Sequence, residues 1–288
     1  MSDVFCLMSV LCSLILMLII DAHTHIFPDY IAQRILETTA RNFRIKTYGK
    51  GTAADLISQM DKHEIRYAVV HMVSPTPASV KDTNTWLIRL NEERLIKFGT
   101  LHPRLKSLHQ EIDRLKDHNI QGVKLQPDVQ AFTVDDSSVT YPLYEALAKK
   151  KMAVMFHVGG EPQPGPHNRS KPDMILRVAK DFPELNIIAA HLGGLNMWDS
   201  VYELLAGIEN VFMETSLTYE NIVPGLAKKI IKKHGHNKIF FGTDYPFAPI
   251  GKSVKIAKAV PFLSENEKKD IFGLNAHRFY LSSHTASA

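Results

Sequence analysis

A single-domain α/β fold of the (β/α)8 TIM-barrel class is what this 288-residue sequence predicts, on three observations. Eight short apolar or β-branched runs recur along the chain. Helix-patterned segments alternate with them at spacings of about 30 residues, the rhythm of parallel βα units. No Gly-rich phosphate loop follows the first run, as it more often would in an open doubly wound sheet.

The runs are LMLIIDAH, YAVVHMV, IKFGTLHP, QGVKLQP, MAVMFHVGG, NIIAAHLGG, NVFMETS and KIFFGTDYP, in that order. Helical patterns fall at 52–64, 83–93, 106–117, 142–150, 172–181, 197–206, 221–234 and 251–259, with a last helix near 265–279. One connection, residues 28–51, is longer than the others and carries Arg34, Arg41, Arg44, Lys46 and Lys50 against Asp29 and Glu37. Folded over a barrel mouth, that excess of positive charge would attract a carboxylate-bearing substrate; left in solvent it is an ordinary solvated face.

Composition narrows the classes. With 45% apolar and 22% charged residues the chain is ordinary globular protein. The net charge of +4 is spread along the chain, and no basic run is interleaved with aromatics, so nucleic acid is not an expected partner. Cys6 and Cys12 are the two cysteines. The rest of the chain has no thiol for a disulfide or a thiolate site, which favours a reducing, cytoplasmic location and leaves nitrogen and oxygen ligands for any metal.

From Val4 to Ile20 the chain is apolar apart from two serines, about the length of a short membrane span or a signal h-region. No Lys or Arg precedes it and no A-x-A cleavage site follows it. Its last residues would also have to form the strand that delivers His23 and His25, and one segment cannot lie both in a bilayer and in a barrel. Residues 1–16 are therefore read as an extension outside the fold, with Met17 a natural first residue. A membrane or secretory signal over 4–20 and a packed apolar extension are the alternatives. The expected division is this extension, a barrel over 17–282 and a flexible tail over 283–288.

The tips of the eight runs carry Asp21, His23, His25, His71, His102, Lys124, His157, His191, Glu214 and Asp244. In a strand, alternate side chains share a face, so His23 and His25 project together, with Asp21 on the same side, and two imidazoles pointing one way suggest a metal. Barrel enzymes build their sites from the C-terminal ends of several strands, which makes the pattern more informative than any one histidine. His71 and His102 belong to no defined motif and are read as satisfied core or surface residues.

Together, DAHTHIFPD, GVKLQP, FHVGG, AHLGG, FGTDYPF and GLNAHRFY resemble the ordered signatures of the amidohydrolase superfamily. More narrowly they resemble its amidohydrolase-related branch that contains aminocarboxymuconate semialdehyde decarboxylase, from about Leu18 to Tyr280. The resemblance implies His23 and His25 as a first-strand metal pair, His157 as the fifth-strand ligand and Asp244 as the eighth-strand carboxylate. Such a set suits one zinc ion per chain, with manganese or iron(II) as competitors. Asp244 would also move the proton, and His191 would act beside the metal in acid/base catalysis or in polarising a carbonyl. Lys124 is expected as a cationic substrate contact, the alternative being a carboxylated bridge between two metals.

The activity expected first is a metal-dependent hydrolase that activates water to cleave an amide, ester or lactone of a small, carboxylate-bearing substrate. The alternative is a metal-dependent, non-oxidative carboxy-lyase of the aminocarboxymuconate semialdehyde decarboxylase type. Hydrolysis ranks first because the chain is short for a decarboxylase of this branch and shows no identifiable arginine for a departing carboxylate. A non-catalytic barrel is disfavoured, since all four ligand positions are filled. Phe27, Trp198, Tyr245 and Phe247 flank the motifs and either line the pocket or cap the core. The expected partner is a small-molecule substrate, with a homodimer left open and a membrane only if residues 4–20 anchor the chain.

Overall fold

Each of the eight apolar runs forms a strand, and the helical patterns fill the intervals between them. The computed structural model describes residues 17–160 and 168–282; the expected extension over 1–16 and tail over 283–288 lie outside the described residues. The strands are β1 (Ile20–His25), β2 (Tyr67–His71), β3 (Leu95–Thr100), β4 (Gly122–Leu125), β5 (Ala153–Phe156), β6 (Ile187–Ala189), β7 (Val211–Glu214) and β8 (Ile239–Phe240). They pair in parallel in sequence order. Past the end of β8 the chain still bonds to β1: Ala22 N donates to Phe241 O at 2.8 Å and Asp244 N to His23 O at 2.8 Å. These bonds close the (β/α)8 barrel and place the first and last motifs side by side.

The barrel is packed on both surfaces of its wall. Ile20, Val69, Phe98, Met155, Ile188 and Phe240 fill the interior, and the C-terminal helix seals its lower end with Ala276 and Tyr280. Tyr280 meets the Phe98 and Phe240 rings at centroid distances of 5.6 and 5.4 Å. Gly122 makes room for this layer, since a Cβ there would lie 2.3 Å from the Phe98 ring. A second, larger core joins the outside of the strands to the helices. Burying each large apolar side chain stabilises the fold by about 1.5–3 kcal/mol, so the wall is held from both sides.

The long connection is not a plain loop. It contains helix α1 (Asp29–Phe43), which precedes the expected helix α2 (Ala53–Lys62). The pattern was present in the sequence: Ala32 and Leu36 recur at helical spacing and are buried, while Ile35 and Phe43 face the cavity above the barrel. The helix ends where Arg44 turns left-handed (φ 52°) and its N–H caps Ala40 O. All five basic residues of the connection, Arg34, Arg41, Arg44, Lys46 and Lys50, are exposed, and of them Arg34 also lines the cavity. The segment expected as a helix at 197–206 is one turn, Trp198–Ser200, followed by a π-helical turn over Val201–Leu205.

Candidate metal centre

The strand tips converge as barrel closure requires. His23 Nε2, His25 Nε2 and Asp244 Oδ1 form a triangle with all three separations at 3.2 Å. Donors held about 2.0–2.2 Å from a transition metal lie roughly 2.8–3.6 Å from one another, so the triangle fits one ion.

The proton inventory points the same way. His23 Nδ1 donates to Glu214 Oε1 at 2.8 Å, which leaves Nε2 as a bare lone pair facing the Asp244 carboxylate. Two acceptors in a buried site repel unless positive charge stands between them. The Lys124 ammonium, 3.5 Å from His23 Nε2, supplies part of that charge.

Burial dominates the electrostatics. It pushes the Asp244 carboxyl up to about 7, with Lys124 opposing and Glu214 reinforcing the shift. It also holds His25 down at about 3 and His157 at about 4, in both cases helped by Lys124, and it keeps His23 and His191 well below the usual imidazole range. Neutral imidazoles beside a carboxylate that burial disfavours as an anion are the chemistry of a cation site.

Two further groupings of donors lie within 4.8 Å: His23, His25 and His71, and His23, His191 and Glu214. The second uses up its carboxylate internally. Glu214 Oε1 accepts from His23 Nδ1, Ser216 Oγ (2.8 Å) and His191 N (2.9 Å), and Oε2 accepts from Ser216 N (2.7 Å). Glu214 thus orients a ligand from behind, the carboxylate–histidine arrangement that fixes a metal-facing tautomer.

His157 and His191 are hydrogen-bonded to each other, Nδ1 to Nε2, at 3.0 Å, and His191 Nδ1 meets Ser216 Oγ at 2.8 Å. His157 lines the cavity, whereas His191, 1% exposed, stands behind it. His191 was expected against the substrate; it does not line the cavity and meets it through His157. His191 (φ 60°), Leu192 (φ 51°) and Asp244 (φ 68°) all adopt left-handed backbone, a conformation concentrated at functional sites. Gly159 (φ 93°) allows the tips of β5 and β6 to lace together: a Cβ there would lie 2.3 Å from Leu195 N.

Above the cluster lies a cavity of about 890 Å3 with His23, His25, Lys124, His157 and Asp244 on its floor. Phe27, Ile35, Met72, Val129, Leu217 and Phe247 contribute apolar wall, while Arg34, Thr38, Asn42, Gln126, Asn196 and Asn221 contribute polar groups. Of the four aromatics in question, Phe27 and Phe247 line the cavity. Trp198 instead donates from Nε1 to His191 O at 3.0 Å, and the Tyr245 hydroxyl donates to Asp55.

Asp21, expected on the same side as His23 and His25, is buried and does not line the cavity. It accepts from His23 N (3.1 Å), Thr243 N (3.0 Å) and Thr243 Oγ1 (2.6 Å), tying β1 to the loop that carries Asp244. Ser216 was missed by motif reading, although it lies two residues beyond Glu214 and therefore on the same face. His102 is the satisfied residue expected, bonded through Nε2 to Gln130 O and accepting at Nδ1 from Arg104 N. His71 is satisfied only in part: Nδ1 is bonded to His25 Nδ1 at 3.3 Å, and Nε2 has no hydrogen-bond partner among the described residues.

No helix among the described residues is long and apolar enough to cross a membrane. No curated protein matches the chain. Solved structures similar to it include 5-carboxyvanillate decarboxylase from Sphingomonas paucimobilis, at 14% identity and a TM-score of 0.69, covering 92% of this chain and 99% of that one. The 5-carboxyvanillate decarboxylase of Novosphingobium aromaticivorans, complexed with manganese and 4-hydroxy-3-methoxy-5-nitrobenzoic acid, matches at 17% identity and a TM-score of 0.70, over 91% and 96% of the two chains. The 2,6-dihydroxybenzoate decarboxylase of Rhizobium matches at 17% and 0.67, over 92% and 99%. The family model described as amidohydrolase spans residues 20–281. With the barrel, the ordered motifs and this match in agreement, the chain is an enzyme of the amidohydrolase superfamily.

Proposed function

We propose that the chain is a metal-dependent, non-oxidative decarboxylase of a small aromatic or unsaturated carboxylate. The observation that carries this reading is the floor of the cavity, where the Lys124 ammonium stands beside the donor triangle under walls that are largely apolar. Such a site pairs with a carboxylate and an adjacent oxygen while it accepts a flat carbon skeleton. The names of the solved neighbours, decarboxylases matched from end to end, support lyase chemistry over the hydrolysis expected first.

His23, His25, His157 and Asp244 would hold one divalent ion, and both zinc and manganese suit three nitrogens and one carboxylate oxygen. When bound, the ion supplies a Lewis acid for a substrate oxygen. Lys124 binds the substrate through charge, and Arg34 gives the cavity a second cation from α1. Asp244 faces the cavity as a carboxylate, takes up a proton from solvent on its free oxygen and passes it to the carbon bearing the substrate carboxylate. The carbon–carbon bond to that carboxylate then breaks, carbon dioxide leaves, its bonding electrons return to the carbon skeleton, and Asp244 is a carboxylate again. Glu214 and His191 hold His23 and His157 in place. His191 thus contributes through His157 and not by touching the substrate.

Hydrolysis is the second reading, because the same triangle with Asp244 as base serves water attack on an amide, ester or lactone. Metal analysis of purified protein, joined to a screen of hydroxybenzoates, unsaturated carboxylates, esters, amides and lactones, separates the two. Carbon dioxide released in step with a decarboxylated product is the expected result. Cleavage of an ester, amide or lactone without carbon dioxide would establish the hydrolase instead.

A further inference from the structure

We propose that His71 is a positioning residue that fixes the tautomer and orientation of His25 and thereby sets the affinity of the metal centre. The inference rests on the reading of His25 as a ligand through Nε2. Strands β1 and β2 pair in parallel with His25 directly opposite His71, so the two rings share a face of the wall. Their centroids are 4.3 Å apart with planes at 80°, and His25 Nδ1 lies 3.3 Å from His71 Nδ1.

A hydrogen bond between two imidazole nitrogens needs one protonated and one bare. For His25 Nε2 to present a lone pair beside Asp244 Oδ1 and His23 Nε2, the neutral ring must carry its proton on Nδ1. His71 Nδ1 is then the acceptor, and the proton of His71 sits on Nε2. That Nε2 is buried and has no hydrogen-bond partner among the described residues.

His71 also completes a pattern. His23 is backed by Glu214 from β7, His157 by His191 from beyond β6, and His25 by His71 from β2. Each cavity-facing imidazole is thus held from behind by a group on or just past another strand.

The test measures binding of zinc to the apo full-length chain by competition with a chromophoric chelator, with circular dichroism to confirm folding. His71→Phe should weaken zinc about 10- to 100-fold at unchanged stoichiometry. His71→Asn, whose side-chain oxygen can still accept from His25 Nδ1, should recover most of that loss. Wild-type affinity in His71→Phe, while the native chain binds tightly, would overturn the positioning role alone. Two ions in the native chain falling to one in His71→Phe would make His71 a ligand and overturn it as well. A native chain that binds no ion would sink both this inference and the site reading beneath it. Where His71→Phe does not fold, nitrogen NMR of histidine-labelled, zinc-loaded native protein decides: a proton on His71 Nε2 supports the proposal, and one on Nδ1 overturns it.

Discussion

The two ends of the barrel are built from the same eight strands and obey opposite rules. At the lower end Phe98, Phe240 and Tyr280 close the interior by packing aromatic surfaces, and a mismatch there costs contact area. At the mouth the polar side chains include buried His23, Lys124, His157, Glu214 and Asp244 and half-buried His25. Each is stable only through a partner of the right protonation state. Stability is concentrated at the end where neighbours are interchangeable in kind, and chemistry at the end where they are not. Substitutions at the two ends should therefore fail differently.

The largest expected effect is at the mouth. His23→Ala combined with His25→Ala should abolish metal binding and turnover, because two of the three corners of the donor triangle go together, while circular dichroism retains the barrel signal. Full metal content in that double variant would remove the triangle from the site. Next comes Asp244→Asn, which keeps an oxygen of similar shape and loses the acid. Turnover should fall by roughly 10² to 10⁴, with part of the metal retained. Its companion His191→Asn should cost about 10- to 100-fold and weaken metal binding through His157, since it removes a supporting bond and not a reacting group. Retained affinity with lost turnover in His191→Asn would return that residue to the direct acid/base role.

Substitution at the lower end should invert this profile. Phe240→Ala removes a fully buried ring and should destabilise the chain by about 3–5 kcal/mol in urea unfolding, with turnover per folded molecule nearly unchanged. A specific loss of turnover there would mean that the two ends are coupled.

The smallest effect concerns pH and sits outside both ends. His234, on the helix Pro224–His234, is 3% exposed, and burial, with Lys238 adding to it, holds its pKa down at about 3 from an ordinary 6.5. Because the folded value is the lower one, the unfolded chain binds the extra proton between those limits. The stabilisation from keeping His234 neutral is thus complete above about 6.5 and drains away as pH falls toward 3. His234→Asn should flatten the pH dependence of the unfolding free energy across that interval. An unchanged slope would assign the dependence to the mouth histidines instead.

What could be read from the sequence follows from period and order. Apolar runs alternating with helical patterns determined the barrel, because a parallel strand buried on both faces has to be apolar along its length. Residues at the ends of those runs marked the mouth, because side chains there escape the apolar layer. His23, His25, Lys124, His157 and Asp244 were all found in this way and do share one cavity. The helix over Asp29–Phe43 was equally legible from Ala32, Ile35 and Leu36, yet the charges around it disguised it as a loop.

Tertiary structure decided what depends on contacts between strands far apart in the chain. Glu214 against His23, His191 behind His157, and His71 opposite His25 are separated by 191, 34 and 46 residues respectively. No local pattern encodes which imidazole nitrogen each partner engages, because that is set by strand register and barrel closure. The chain determined which residues gather at the mouth; the closed barrel decided which of them face the cavity and which hold the others still.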